Sequence, residues 1–483
     1  MFLWKRNKTM IVLWICFSIG TGVLPAYTQQ NPAGEGEIDP LVLEKLEWFQ
    51  DAKFGLLMHW GPYSQWGVVE SWSICSEDKP FCRRHIDDYT EYKKQYENLK
   101  TTFNPKKFNP NDWAQAAQYA GMKYVIFTTK HHDGFCMFDT KQTDYRITDS
   151  DCPFHVHPKA NVTKEIFNTF RKNGFGIGAY FSKADWHTEY YWWPRFATPD
   201  RNVNYDTAKY PERWKRFCEF TYNQIEELMT GYGPVDILWL DGGWVRPKST
   251  ISDRNQLLNR NLLYDQNIDM PRIASMARTH QPGLIIVDRT VTGKYENYRT
   301  PEQRVPDKPL DYPWETCMTM ASSWSYVPDD NYKSARTLVH MLVDIVAKGG
   351  NLLLNIGPDA NGEWAPDAYD RLQEIGDWMK ANGEAIYGTR PVAPYKETKI
   401  CFTSKKDVVY AIYLADEDEL NPPPKIMLYS HCPKKSGKIT LLGTQNRLEW
   451  EPSGKGVLIH VPESAIKNPP CSYAWAFKIE RGS

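Results

Sequence analysis

The sequence lacks an excess of charge of either sign. Its 483 residues include 58 Lys and Arg against 59 Asp and Glu, a formal net charge of −1. A nearly neutral chain creates no field of one sign that would hold nucleic acid or an anionic membrane surface. We therefore expect no nucleic-acid partner.

The sequence also lacks the common metal and nucleotide motifs. None of the ten cysteines forms a CxxC pair and no HExxH is present, which argues against a zinc site of either common kind. The glycines of "NGFGIGAY" (173–180) precede or interrupt an apolar stretch and open no helix, so a dinucleotide fingerprint is rejected. Neither a zinc framework nor a bound dinucleotide is therefore expected.

Long apolar runs are absent except at the amino terminus. "MFLWKRNKTMIVLWICFSIGTGVLPAYTQQ" has a basic start, an apolar stretch and then small residues, as secretory signal peptides do. The stretch is short for a span of about 20 apolar residues, and an uncleaved anchor is the alternative. Residues 1–28 are predicted to direct export to the periplasm or the medium, or to the lysosome or cell exterior in a eukaryote. No membrane span is expected in the mature chain.

Removal of the signal would leave an odd number of cysteines, nine. Export permits disulfides. Cys75 and Cys82 in "CSEDKPFC" form the nearest local pair, although spacing alone does not establish a bond between them.

Short apolar stretches bounded by turn residues recur through the first four fifths of the chain. They are apolar on both faces, as strands buried in a parallel sheet are, and helical patterns such as "TKEIFNTFRKNG" separate them. The class is therefore α/β. The stretches are "FGLLMHWG" (54–61), "YVIFTTK" (124–130), "GIGAYFS" (176–182), "VDILWLDGG" (235–243), "LIIVDR" (284–289) and "NLLLNIGP" (351–358).

Polar residues fall where these stretches end. The carboxyl ends of barrel strands are where (β/α)8 enzymes collect their catalytic groups. Eight clean repeats are not evident, so we predict an irregular (β/α)8 TIM-like barrel over residues 38–388. A doubly wound sheet is the alternative and would use the same strand ends. The strand-end residues are His59, Lys130 to Asp133, Ser182 to Asp185, Asp241, Asp288, Arg289 and Asn355.

The last hundred residues have a different sequence pattern. Short alternating runs such as "KICFTSKKDVVYAIYL" are separated by Pro, Gly, Asn and Asp, which predicts an antiparallel β-sandwich over residues 389–483. No cluster of catalytic residue types falls there. We expect this domain to support the barrel or to make a secondary sugar contact.

One aspartate stands out as a candidate catalytic residue. Asp241 ends the stretch "VDILWL" and two glycines follow it, which would allow a ligand close to the backbone. Asp241 suits a nucleophile or general base, and a loop or helix cap is the structural alternative. A glycosidase would need a second carboxyl group as proton donor, for which Glu296, Glu302 and Glu315 are candidates.

The stretch "FTTKHHDGF" (127–135) places two histidines after an apolar strand. A metal site, a solvated loop and a pocket for a polyhydroxylated ligand are three possible interpretations. His131 and His132 lack the spacing that puts two imidazoles on one metal, whereas imidazoles bond well to sugar hydroxyls. Aromatic residues make up 14% of the chain, with 19 Trp, which suits stacking on sugars and equally an aromatic core.

Five blocks together closely resemble a known family. They are "KFGLLMHWGPYSQWGVVESW", "KYVIFTTKHHDGFCMFDTKQTDY", "GIGAYFSKADWH", "VDILWLDGG" and "GGNLLLNIGPDANGEW". In order, from about residue 43 to 390, they resemble the retaining α-L-fucosidases of glycoside hydrolase family 29. The resemblance implies an exported, bacterial-type, exo-acting α-L-fucosidase that releases terminal L-fucose from fucosylated glycans by double displacement, without a cofactor.

The resemblance also implies roles for individual residues. Asp241 would be the nucleophile. The segment "YRTPEQ" favours Glu302 as the acid/base, whereas "PWETCMTM" favours Glu315, which would otherwise belong to the pocket; Glu302 is preferred. The implied sugar contacts are His59, Glu70, Trp72, His131, His132, Tyr180 and Arg289, with Trp60 a candidate contact for the methyl group of fucose.

Two other functions remain open at this point. An exported carbohydrate-binding protein would keep the sugar contacts without catalysis. A metal-dependent hydrolase would use His59, His131 and His132 as ligands. Neither the fucosyl linkage preference nor the oligomeric state follows from the sequence.

Overall fold

The computed structural model describes residues 39–251, 262–444 and 447–480. The predicted signal peptide lies outside these residues. Within them, no helix combines the length and the apolar character needed to cross a bilayer.

The first domain is built on a parallel sheet of seven strands. Its strands are β1 Phe54–Met58, β2 Tyr124–Lys130, β3 Gly176–Ser182, β4 Ile237–Asp241, β5 Ile285–Asp288, β6 Glu315–Thr319 and β7 Asn351–Asn355. They are hydrogen-bonded in the order β5-β4-β3-β2-β1-β7-β6. Chain neighbours are therefore mostly sheet neighbours, as in a TIM-like barrel and unlike a doubly wound sheet. The predicted irregular barrel is confirmed.

The irregularity lies between the two edge strands, β5 and β6. Residues 295–303 fill this gap without forming a regular strand. Asn297 N donates to Ile286 O of β5 at 3.0 Å, and Glu315 N of β6 donates to Arg299 O at 2.9 Å. Further along, Gln303 N donates to Cys317 O at 3.0 Å. The segment therefore closes the ring in the place of an eighth strand.

Helices connect and surround the strands. Proline occupies the first or second position of five of them, where its missing N–H costs nothing. Asn161 caps α4 through a bond from Lys164 N at 3.3 Å. The helices are α1 Pro40–Ala52, α2 Tyr89–Asn98, α3 Pro110–Tyr119, α4 Val162–Lys172, α5 Pro211–Gly231, α6 Met270–His280, α7 Ala335–Ala347 and α8 Pro366–Asn382.

The second domain is an antiparallel sheet of eight strands, as predicted. Its elements are β8 Arg390–Glu397, β9 Ile400–Lys405, β10 Val408–Leu414, β11 Lys425–Leu428, β12 Lys438–Leu441, β13 Arg447–Ser453, β14 Gly456–His460, α9 Glu463–Lys467 and β15 Ala474–Glu480. The order is β11-β14-β13-β12-β15-β10-β9-β8. Phe402 of β9 and Leu428 of β11, far apart in this order, share one apolar core, as in a sandwich. The boundary at residue 388 stays a prediction.

Candidate active site

A cavity of about 390 Å³ opens at the carboxyl ends of the barrel strands. Its floor is the top of the barrel interior, where Leu57, Tyr180, Trp239 and Cys317 belong to one buried cluster. The cavity is lined by Leu57, His59, Val69, Glu70, Trp72, Phe81, His131, His132, Tyr180, Arg201, Trp239, Asp241, Gly243, Trp244, Arg289, Thr290, Glu302, Cys317 and Trp324. Most of the predicted sugar contacts and both preferred carboxylates therefore meet in one place.

Asp241 is the last residue of β4, and hydrogen-bond donors surround its carboxylate. Arg289 Nη1 donates to Oδ1 at 2.9 Å and Tyr180 OH donates to Oδ2 at 2.7 Å, while Gly242 N donates to Oδ1 at 2.8 Å. Burial would raise the pKa of Asp241, but the charge of Arg289 and these donors outweigh it and hold the pKa well below its usual range. Asp241 is therefore ionised at neutral pH.

Arg289 joins the two candidate catalytic carboxylates. It follows β5, and its Nη2 donates to Glu302 Oε2 at 2.8 Å while Nη1 holds Asp241. Its guanidinium carbon lies 4.3 Å from the centre of the Trp239 ring, a favourable cation–π position. One guanidinium thus gathers both carboxylates around the same end of the cavity.

A buried ion pair supports Arg289 from behind. Lys183, after β3, pairs with Asp288, the residue before Arg289, and both side chains are almost fully buried. Lys183 N also donates to Asp241 O at 2.9 Å. This pair ties the ends of β3 and β5 together across β4, so that Arg289 and Asp241 are fixed relative to each other.

Hydrogen bonds fix the tautomers of two histidines in the cavity. The Ser182 hydroxyl donates to Ala184 O at 2.7 Å, so His132 Nδ1, 2.7 Å from Ser182 Oγ, must be the donor in that contact. His59 Nδ1 lies 2.7 Å from Asn355 Oδ1. The side-chain nitrogen of Asn355 donates to Trp324 O at 2.6 Å, so Oδ1 is the acceptor for His59 Nδ1. Nε2 of each neutral ring is then a lone-pair acceptor available to a ligand hydroxyl.

Burial keeps these imidazoles neutral. Loss of solvation lowers the pKa of His59 to about 4 and that of His132 to about 3. It also lowers the pKa of His131 well below its usual value. The rings of His131 and His132 lie 4.2 Å apart, since both follow the end of β2. At neutral pH they therefore act as hydrogen-bonding groups and not as cations.

The other polar residues of "KHHDG" face away from the cavity. Lys130 Nζ donates to Asp185 Oδ2 at 3.2 Å and to Gln224 Oε1 at 3.1 Å in the core. Asp133 accepts from Tyr96 OH at 2.7 Å. These two residues hold the loop that carries the histidines.

Glu70 is a buried carboxyl group that faces the cavity. Its Oε2 is fully buried and has no protein partner, although the residue lines the cavity. Burial first, and then the nearby charges of Glu302 and Asp241, raise the pKa of Glu70 to about 8. A protonated carboxyl with an unused oxygen can both donate to and accept from a ligand hydroxyl. Beside it, Trp72 packs edge-on against His132 with centroids 5.3 Å apart.

Two of the predicted sugar contacts, Trp60 and Glu315, are not among the residues that line this cavity. The indole of Trp60 is buried between Phe103 and Trp113 and donates to Asp359 O at 2.8 Å. Trp60 follows His59 directly, so the two side chains leave the chain in opposite directions. It therefore packs in the outer core.

Glu315 is the second residue placed elsewhere. It lies at the start of β6, inside the barrel and beneath the cavity, and is fully buried. Its carboxylate accepts from Tyr124 OH at 2.5 Å, Tyr298 OH at 3.1 Å and Trp239 Nε1 at 3.3 Å. Burial still raises its pKa to about 7. Since Trp239 lies under Arg289, Glu315 supports the floor of the site.

Several residues of the cavity were not predicted from the sequence. Trp324, in the loop after β6, lies 5.2 Å from His59 between ring centres. A tryptophan a few residues past a strand end could have been recognised from the sequence. The stretch "ETCMT", however, is too polar to be recognised as a buried strand. The outer wall consists of Phe81, Arg201 and Trp244. These residues come from separate loops, and no local sequence pattern indicates that the loops come together.

Ligand atoms of His131, His132 and Asp241 lie within 4.8 Å of one another, so a metal ion must be considered. However, both oxygens of Asp241 already accept hydrogen bonds, and one donor is the cationic Arg289. A metal ion there would lie next to a fixed positive charge. The donor set is better suited to the hydroxyl groups of a neutral ligand.

Comparison with known proteins agrees with this geometry. A family model described as Alpha-L-fucosidase matches residues 26–384, and one described as Alpha-L-fucosidase C-terminal domain matches residues 395–480. The tissue alpha-L-fucosidase of Homo sapiens is 29% identical over 448 residues, 89% of this chain and 88% of that protein.

Solved structures give the same result. Alpha-L-fucosidase isoenzyme 1 from Paenibacillus thiaminolyticus matches with a TM-score of 0.72 at 28% identity, covering 92% of this chain and 100% of that one. The alpha-fucosidase of Thermotoga maritima, solved in complex with a mechanism-based inhibitor, matches with a TM-score of 0.69 at 27% identity, covering 90% and 96%.

A TIM-like barrel whose strand ends surround a cavity lined by carboxylates and aromatic rings is typical of glycoside hydrolases. The family match spans most of its length. The chain belongs to the α-L-fucosidase family, glycoside hydrolase family 29.

Proposed function

We propose that the enzyme is an exo-acting, retaining α-L-fucosidase that releases terminal L-fucose from fucosylated glycans. The observation that carries this proposal is the bridge in which Arg289 holds both Asp241 and Glu302. Retaining glycosidases need one ionised carboxylate and one proton donor close together, with carboxyl groups about 5 to 5.5 Å apart.

Asp241 is the proposed nucleophile. Its carboxylate attacks the anomeric carbon of the bound fucoside and displaces the glycosidic oxygen, forming a β-linked glycosyl ester. Its low pKa supports this role, since the carboxylate is ionised before substrate arrives. Inversion at this step and again at hydrolysis gives retention overall.

Glu302 is the proposed acid/base. It protonates the departing oxygen in the first step and removes a proton from water in the second. Its side chain is 48% exposed, so it can exchange protons with solvent between the steps. Binding of the leaving group would replace its contact with Arg289.

The remaining polar residues are proposed to bind the hydroxyl groups of fucose. Neutral His59 and His132 accept hydrogen bonds through Nε2, and His131 and Glu70 complete the polar lining. Tyr180 positions the nucleophile. The tryptophans that line the cavity offer apolar surface to the methyl group at C6.

We further propose that residues 1–28 are removed on export to the periplasm, the medium or an equivalent compartment. A fucosidase that acts on glycans outside the cytosol needs such a route. Mass analysis of the amino terminus of the exported protein tests the proposal.

The activity test measures release of free L-fucose by the wild-type enzyme and by Asp241→Ala. The substrates are an aryl α-L-fucoside and a branched Lewis-type oligosaccharide. Release by the wild type alone supports the proposal, and the preferred substrate defines the linkage range. Release from neither substrate would contradict it.

A further inference from the structure

Two cysteines that the proposed mechanism does not use lie side by side near the cavity. Cys75 and Cys82 are buried, with 0% and 2% of their surfaces exposed, and their thiols lie close enough for each to affect the ionisation of the other. Arg84 Nη1 donates to Cys75 O at 2.9 Å and to Cys82 O at 3.1 Å. One nitrogen therefore holds the two backbones together.

The segment between these cysteines forms one wall of the cavity. Trp72, three residues before Cys75, and Phe81, directly before Cys82, both line it. Their rings meet edge to face with centroids 5.2 Å apart. Any restraint between the two cysteines therefore restrains both rings.

A salt bridge attaches the same segment to another residue of the cavity lining. Glu77 pairs through both oxygens with Arg201, whose guanidinium carbon lies 4.7 Å from the centre of the Trp72 ring. Arg201 itself lines the cavity. Residues 75–82 are thus held by the salt bridge of Glu77 as well as by Arg84, which bonds to the carbonyl oxygens of both cysteines.

We propose that Cys75 and Cys82 form a disulfide when the protein matures in an oxidising compartment, and that this bond fixes the Trp72–Phe81 wall. The oxidant is a small or protein disulfide. The Cys82 thiolate attacks one of its sulfurs and releases one thiol, and Cys75 then attacks the Cys82 sulfur of the mixed disulfide and releases the second. Both cysteines lose their hydrogens, and one oxidant disulfide becomes two thiols.

The surroundings favour Cys82 as the first thiol to react. The neighbouring Cys75 thiol lowers the pKa of Cys82, and the guanidinium groups of Arg201 and Arg84 act in the same direction. The neighbouring Cys82 thiol and burial raise the pKa of Cys75. Residues 78–81 are exposed, so an oxidant reaches the segment as the loop closes during folding.

Thiol mapping of the full chain tests the bond. Protein unfolded in the presence of a reductant is refolded with oxidised glutathione, then unfolded again, alkylated with iodoacetamide and digested. We expect a linked peptide that contains Cys75 and Cys82 without an alkyl group on either, and two alkylated cysteines in a sample kept reduced. Alkylation of both after oxidation, or linkage to a different cysteine, would overturn the proposal.

Kinetics tests the effect on the wall, and this part rests on the fucose site proposed above. On reduction we expect KM for an oligosaccharide to rise by about two- to tenfold, the cost of ordering one or two loosened side chains, with kcat unchanged. The Cys75→Ser/Cys82→Ser double variant should show the raised KM in both states. An unchanged KM in mapped, fully oxidised and fully reduced wild type would refute the effect on the wall. Absence of fucose release in either state would refute the fucosidase proposal, whereas the mapping would still decide whether the bond forms.

Discussion

The two carboxylates of the site sit in contrasting surroundings. Asp241 ends a regular strand, its side chain is 17% exposed and hydrogen bonds restrain both oxygens. Glu302 lies on the irregular segment that closes the barrel, and its side chain is 48% exposed. A nucleophile has to remain ionised and aligned, whereas an acid/base has to exchange protons with solvent. The regular and irregular parts of the barrel meet these two needs separately.

Removal of the charge of Asp241, which lies on the regular side of the site, should reduce activity the most. Asp241→Asn keeps the shape of the side chain but abolishes the nucleophile, and we expect kcat/KM to fall by at least about 10³-fold. Steady-state hydrolysis of an aryl fucoside measures the loss. Asp236→Asn is the matched control, because Asp236 precedes the same strand at its far end and bonds to Ile177 N. Comparable loss in both variants would argue for a general folding defect.

Removal of the carboxyl on the irregular side should depend on the leaving group. For Glu302→Ala we expect about a 10² to 10⁴-fold loss on oligosaccharides, whose leaving oxygen needs a proton, and a smaller loss on a fucoside with an acidic phenol. Rates over a series of phenols measure the dependence. Glu296→Gln, on the same segment but outside the cavity lining, should show none. A loss independent of the leaving group in Glu302→Ala would contradict its role.

Weakening the restraint on Asp241 should have an intermediate effect. Tyr180→Phe deletes the 2.7 Å hydrogen bond to Oδ2, and a bond to a charged group contributes about 1.5 to 3 kcal/mol, so we expect roughly a ten- to hundredfold fall in kcat/KM. The acidic limb of the pH profile should move to higher pH, since this bond helps to lower the pKa of Asp241. Tyr298→Phe, which removes a hydroxyl bonded to Glu315, is the control and should leave that limb in place.

Substitution of Glu315, which lies beneath the site, is expected to have the smallest effect on catalysis. Burial raises the pKa of Glu315 from 4.5 to about 7, so this carboxyl favours the folded state below pH 4.5 and that contribution is lost as pH rises toward 7. The loss amounts to about 3 kcal/mol over this window. Glu315→Gln should therefore lose less stability than wild type between pH 4.5 and 7, measured by denaturant unfolding. Parallel pH curves for the two proteins would contradict this assignment.

The sequence predicted the regular part of the site better than the irregular part. His59, His131, His132 and Asp241 follow apolar strands, and strand ends converge by topology alone. Their neighbours on the irregular side depend on residues 295–303, which have no strand pattern and take their place only by bonding to β5 and β6. Trp324 has a different cause, because β6, the strand before its loop, is too polar to be recognised as a buried strand.

Burial depth was the other limit of the sequence. In the sequence, competing motifs favour Glu302 and Glu315 as the acid, and Glu302 is only preferred. In the structure, Glu302 lines the cavity and Glu315 lies beneath it among Tyr124, Tyr298 and Trp239. The side chains of adjacent residues can also lie in different environments, as those of His59 and Trp60 do. The side on which a residue lies depends on long-range packing that a short motif does not contain.

Azide rescue tests most directly the claim that Asp241 and Glu302 divide the chemistry. Glu302→Ala and Glu315→Ala are each incubated with an aryl α-L-fucoside and sodium azide, and the products are identified by NMR. We predict that azide restores turnover of Glu302→Ala alone and yields α-fucosyl azide, because the site vacated by Glu302 admits an anion that attacks the β-linked glycosyl-enzyme with inversion. Rescue of Glu315→Ala, with none for Glu302→Ala, would contradict the account.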